Sequence, residues 1–91
     1  MGTVDTNKEW QVYIIEASDS KLYTGITTDI EQRWQLHATG KGAKFFRGRQ
    51  PKKICYLENN HNKSSASKRE AEIKKMSRTE KKILIEKSPY V

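Results

Sequence analysis

The chain has 91 residues, 18 Lys and Arg against 11 Asp and Glu, a formal net charge of +7 and a pI near 9.6. That length excludes two domains and a large core, since a domain this small buries only roughly 60–65% of its unfolded surface. Clustered apolar segments exclude a disordered polyelectrolyte, no segment approaches the ~20 apolar residues of a membrane span, and the excess of cations points to a polyanionic partner, nucleic acid first.

Residues 1–8 are polar and aperiodic. They lack the apolar centre of a signal peptide and are expected as a disordered leader before one folded domain over 9–87. Trp10 to Glu16 is expected as the first strand, Ala17-Ser18-Asp19-Ser20-Lys21 as a turn and Leu22 to Thr27 as its antiparallel partner. Strand side chains alternate faces, so Tyr13 and Tyr23 share one only if paired residue numbers sum to an even value. A three-residue loop, Ser18 to Ser20, would suffice. Gly25 marks either a close approach by another group beside Tyr23 or a plain bulge.

Asp29 can cap a helix of about ten residues, with Gln32 three positions on and Gly40 as a left-handed stop after Thr39. At 100° per residue Ile30, Arg33, Trp34 and His37 fall on one side, so the face that should seek the core carries two cation-capable groups. Gly40 to Pro51 is a glycine-punctuated basic loop. Its Lys41, Lys44, Arg47 and Arg49, continued by Lys52 and Lys53, could track phosphates, while Phe45 and Phe46 either stack on an exposed base or plug the core.

Lys52 to Glu58 is expected as the third strand, with Ile54 and Tyr56 on one face and Cys55 and Leu57 on the other. Cys55 has no partner for an internal disulfide and reads as inert packing in a reducing cytoplasm. Asn59 to Asn62 breaks the strand, and His61 is expected in a solvated turn without function. A helix starting near Ser64 presents Ala66, Ile73 and Met76; another follows the capping box Ser77-Arg78-Thr79-Glu80, carries Ile83, Leu84 and Ile85, and stops at Ser88-Pro89. The expected fold is α/β of the α+β type: a three-stranded antiparallel sheet flanked by helices, in the order ββαβαα.

Val12-Tyr13-Ile14 and Tyr23-Thr24-Gly25 on paired strands, Arg33 and His37 on the next helix, and Glu70 within Ala66-Ser67-Lys68-Arg69-Glu70-Ala71-Glu72 give the chain its character. In these it resembles the GIY-YIG nuclease family, from about Trp10 to Glu86. The stretches Leu22-Tyr23-Thr24-Gly25-Ile26-Thr27-Thr28-Asp29 and Gly40-Lys41-Gly42-Ala43-Lys44 look most like short stand-alone bacterial members. Three features depart from the family pattern: Gln11-Val12 precedes the first tyrosine, Ile26 stands where larger members have lysine, and the last helix has no match for a late asparagine.

The resemblance implies a divalent-metal-dependent endonuclease that cuts DNA, structure-selective and linked to repair or recombination, with RNA and a protein partner left open. Such chemistry needs an activated water, neutralised phosphate oxygens and a stabilised leaving oxygen. Glu70 would hold a single Mg²⁺ or Mn²⁺ and Arg33 would grip the scissile phosphate through its planar fork. Tyr13 or Tyr23 would take the proton from water, although a phenol of pKa near 10 is only ~0.1% ionised at neutral pH, and His37 is the competing acceptor.

Glu70 is preferred to Glu72 on motif alignment, because the helical wheel does not separate them. Arg69 near the middle of the apolar stripe is compatible with a shorter helix, a snorkelling side chain or a substrate contact. The alternative function is a nucleic-acid-binding module of the same fold with little catalysis, and a weaker third is a protein adaptor whose charge is incidental.

Overall fold

A computed structural model describes residues 9–88; the expected leader over 1–8 and the Pro89 stop lie outside them. Strands β1 (Trp10–Ala17) and β2 (Leu22–Thr27) form a hairpin, followed by α1 (Ile30–Ala38), a single 3-10 turn over Lys44–Phe46, β3 (Pro51–His61), α2 (Lys63–Lys74) and α3 (Arg78–Lys87). The antiparallel sheet has the order β2-β1-β3. Among the described residues no helix is long and apolar enough to cross a membrane.

In the hairpin, Tyr13 lies opposite Gly25 and Ile15 opposite Tyr23. The paired numbers therefore sum to an even value, and both tyrosines face one side of the sheet. The loop has the required odd length. The Ala17 amide donates to the Lys21 carbonyl and the Ser20 amide to Ala17, while Ser20 adopts a positive φ of 71°. Pairing of β1 with β2 is continuous through Gly25, so the bulge reading of that glycine fails. The close-approach reading holds, because a Cβ there would lie 2.5 Å from the Tyr13 hydroxyl.

The third strand departs from simple alternation. Ile14 pairs with Tyr56 but Ile15 with Ile54, so β3 carries one extra residue at Cys55. Cys55 and Tyr56 consequently enter one core, and Ile54 and Leu57 the other. β3 also runs three residues further than its alternation implied, to His61. A second irregularity between Val12–Glu58 and Trp10–His61 accommodates Asn60 at φ 67°, a conformation asparagine tolerates better than most residues.

The sheet thus separates two unlike interiors. On one face Val12, Ile14, Cys55 and Tyr56 pack with Ala66 and Ile73 of α2, edged by Met76, Leu84 and Ile85. Each fully buried isoleucine there contributes about 1.5–3 kcal/mol. On the other face Tyr13, Ile15 and Ala17 pack with Ile30 of α1 and with Phe46, edged by Tyr23, Trp34, Phe45 and Leu57. Burial of Phe46 decides against its stacking on a base, and the Arg49 guanidinium lies 4.4 Å above the Phe45 ring.

Helix ends follow their signals. The Asp29 carboxylate accepts from the Gln32 amide at 3.1 Å, and Gly40 takes φ 76° after Thr39. Asn62, expected only to break β3, also caps α2 in a reciprocal box with Ser65, and Ser77 caps α3 with Glu80.

Candidate active site

Five residues expected from the sequence, Tyr13, Tyr23, Arg33, His37 and Glu70, line one open hollow of about 270 Å³, together with Gly25, Ile26, Gly42 and Ala43. β1 and β2 deliver the tyrosines from one face of the hairpin, with ring centroids 6.2 Å apart. α1 presents Arg33 and His37 one turn apart. On α2, Arg69 and Glu70 leave the buried stripe in different directions. Arg69 reaches over β3 to Glu58, whereas Glu70 borders the hollow next to β2. Glu72 is exposed and pairs with Arg69, which separates two glutamates that the helical wheel left equivalent.

The hollow is built around a buried hydrogen bond. Tyr13 and His37 are each 1% exposed, and the Tyr13 hydroxyl lies 2.9 Å from His37 Nε2. Burial, reinforced by the Arg33 charge, lowers the His37 pKa to about 4, so the imidazole is neutral at ordinary pH. Burial also pushes the Tyr13 phenol well above its usual value. Tyr23 and Glu70 add to that rise and Arg33 opposes it. Phe46 packs on the imidazole with ring centroids 4.3 Å apart. His37 Nδ1 is buried and has no hydrogen-bond partner among the described residues.

Glu70 is the carboxylate among the residues that line the hollow. Among the described residues no group of three or more His, Cys, Asp or Glu side chains could share an ion. That donor set fits a hard cation which keeps most of its waters and completes its shell on substrate oxygens; it does not fit a preloaded cage. The Lys74 ammonium already sits 3.2 Å from Glu70 Oε2.

The loop cations divide. Lys41, Lys44 and Arg47 are exposed. Arg49 donates from Nε to Asp19 at 2.7 Å and from Nη1 to the Phe45 carbonyl at 3.0 Å, tying the loop to the hairpin turn. Lys53 lies 3.9 Å from Glu16. A wider depression of about 900 Å³ between α1 and β3, lined by Trp34 and Ile54 among others, borders none of the five residues.

His61 corrects its expectation as a solvated turn residue. Its ring contacts Glu58 at 2.8 Å through Nε2 and Ser65 at 2.9 Å through Nδ1. Glu58 also accepts from Tyr56 and from Arg69. Burial alone would raise the Glu58 carboxyl, but hydrogen bonds from Tyr56, Arg69 and His61 hold it below the usual range. Arg69 therefore braces α2 against β3, and α2, which begins at Lys63, is not the shorter helix that was one of its readings. Gly42, which lies against His37, was named in the sequence only within the stretch Gly40-Lys41-Gly42-Ala43-Lys44 and given no role of its own.

Residues 9–83 match the model of the GIY-YIG catalytic domain. The chain belongs to the GIY-YIG family. This is a family of nucleases, which implies a nucleic-acid substrate and, typically, a divalent metal. Relatives within it include a UPF0213 protein of Syntrophus aciditrophicus, 53% identical over 79 residues, spanning 86% of this chain and 91% of that one. A UPF0213 protein of Oceanobacillus iheyensis is 46% identical over 80 residues, spanning 88% and 93%. The solution NMR structure of a UPF0213 protein from Bacillus halodurans superposes with a TM-score of 0.56 at 41% identity, covering 86% of this chain and 83% of the other. The fold seen here, a three-stranded antiparallel sheet with three helices, matches that of the Bacillus halodurans protein.

Proposed function

We propose that the protein is a divalent-metal-dependent endonuclease that hydrolyses phosphodiester bonds in DNA, with preference for branched or single-stranded structure and a role in repair or recombination. The observation that carries this reading is the convergence of Tyr13, Tyr23, Arg33, His37 and Glu70 on one hollow, with the Tyr13 hydroxyl already paired to a neutral imidazole.

The residues divide the chemistry among them. A neutral imidazole keeps one nitrogen free of a proton. With Nε2 in that form, Tyr13 donates to it, and as the Tyr13 oxygen takes a proton from the attacking water its own proton passes to His37. The relay leaves an imidazolium in place of a phenolate, and burial opposes both charges, so the proton is held there only transiently. Arg33 offers paired donors to the non-bridging phosphate oxygens, and Tyr23 lines the hollow beside Tyr13, where it can orient the water. Glu70 would hold the divalent cation, which supplies Lewis-acid stabilisation of phosphate and leaving oxygen. Substrate selectivity for flaps, branches or single strands is supported by the small size of the domain and by Lys41, Lys44 and Arg47, exposed cations able to follow a backbone without reading bases.

The test is incubation of purified protein with branched, duplex and single-stranded DNA in Mg²⁺ or Mn²⁺, alongside Glu70→Ala. Metal-dependent cutting that falls about 10⁴-fold in the variant, with chelator abolishing it in the wild type, is the expected outcome. Salt-sensitive binding without any cutting would replace the enzyme with a binding module.

A further inference from the structure

We propose that Gly42 is a positioning residue for the hollow: its lack of a side chain lets the loop backbone lie against the His37 imidazole and hold the ring on Tyr13. The inference rests on the site described above, and its geometry is specific. A Cβ on Gly42 would come within 2.8 Å of His37 Cε1 and closer still to Nδ1. Nothing in the backbone angles of Gly42 calls for glycine, since among the described residues Gly40 and Gly48 are the glycines with positive φ. Gly42 is therefore glycine for room.

The contact is fixed from both sides. The Gly42 amide donates to the Leu36 carbonyl at 3.1 Å, anchoring the loop to the last turn of the helix that carries His37. Phe46, on the 3-10 turn that follows, covers the ring face. Nδ1, walled off in this way, is left without a partner, so the hydrogen bond through Nε2 to Tyr13 is the one that orients the ring. Tyr13 from β1, Tyr23 from β2, Arg33 from α1 and Glu70 from α2 are the titratable and charged groups that share its hollow. A side chain at Gly42 would drive the ring off Tyr13 or lift the loop, and either would open the imidazole to water.

The chain has two histidines, His37 and His61, so NMR titration of the imidazoles, assigned with His61→Gln, reads His37 without any cleavage assay. In Gly42→Ala the His37 midpoint is expected to rise by at least one pH unit from its low value. The loss in thermal midpoint caused by Gly42→Ala should shrink to less than half when His37→Ala makes room for the methyl group. If Gly42→Ala alone does not fold, recovery of fold in the double variant supports the same coupling. An unmoved His37 titration, an equal loss in both backgrounds, or failure of both variants to fold overturns the proposal. If the wild type cuts no nucleic acid, the nuclease reading fails while the coupling between Gly42 and His37 is still read out.

Discussion

Two polar clusters flank the sheet and are finished to different degrees. The Glu58 cluster is saturated: one carboxylate accepts from Tyr56, His61 and Arg69, and the second His61 nitrogen meets Ser65. The Tyr13–His37 pair is not, because Nδ1 is orphaned and the Tyr13 hydroxyl has His37 as its one protein partner among the described residues. Buried groups held back from full hydrogen bonding are costly, whereas saturated clusters add rigidity. Each cluster contains a histidine beside a tyrosine, and only its surroundings tell which is which.

Four changes break or sharpen this contrast. Tyr13→Phe removes one hydroxyl and is expected to lower cleavage per folded molecule by about 10³-fold, measured by single-turnover kinetics, while costing about 1–3 kcal/mol in urea unfolding because it strands the buried His37 Nε2. The second concerns acid. Because the folded His37 pKa lies near 4, below its unfolded value of about 6.5, the unfolded chain binds more protons between these values. Stability should therefore fall by about 3 kcal/mol as pH drops from 6.5 to 4, and urea melts of His37→Phe should lack that slope. Glu58 also has a depressed pKa, so its contribution fades only as pH falls below the usual carboxylate range, a separate and more acidic window.

Glu58→Ala should cost about 2 kcal/mol in urea unfolding by stranding Arg69 and His61. Cleavage per folded molecule should stay within a few-fold of wild type, and a collapse there would make the saturated cluster part of the site. The smallest effect belongs to Lys74, whose side chain is 52% exposed. Replacing it with Met should tighten Mn²⁺ binding by about threefold in the absence of nucleic acid, since the ammonium no longer competes for Glu70 across a solvent-screened pair.

Much of the architecture was legible because its signals are local. The capping residues Asp29 and Ser77, the left-handed Gly40 and the odd-length turn each act within four residues, and all four formed as their chemistry dictates. Tyr13, Tyr23, Arg33 and His37 stood out among the residues themselves, Glu70 came from the resemblance to the GIY-YIG family, and the hollow joins all five. What escaped is non-local. Alternation along Lys52 to Glu58 gave the wrong faces because the extra residue at Cys55 is set by pairing with β1. Asn59 to His61 read as breakers, yet the sheet absorbs them through Asn60. The role of Arg69 depends on Glu58, which lies on a different element, and the local contacts of His61 with Glu58 and Ser65 went unread because β3 was not expected to extend to it.

The hairpin tip has a consequence for how this chain can change. Surface turns usually accept added residues freely, but here Ser18, Asp19 and Ser20 set the phase of everything on β2. One inserted amino acid would send the Tyr23 phenol to the aliphatic half of the protein, and would also pull Asp19 away from Arg49 and Ser18 from Gln50. Length polymorphism at the most accessible bend should thus be more damaging than most replacements of its letters.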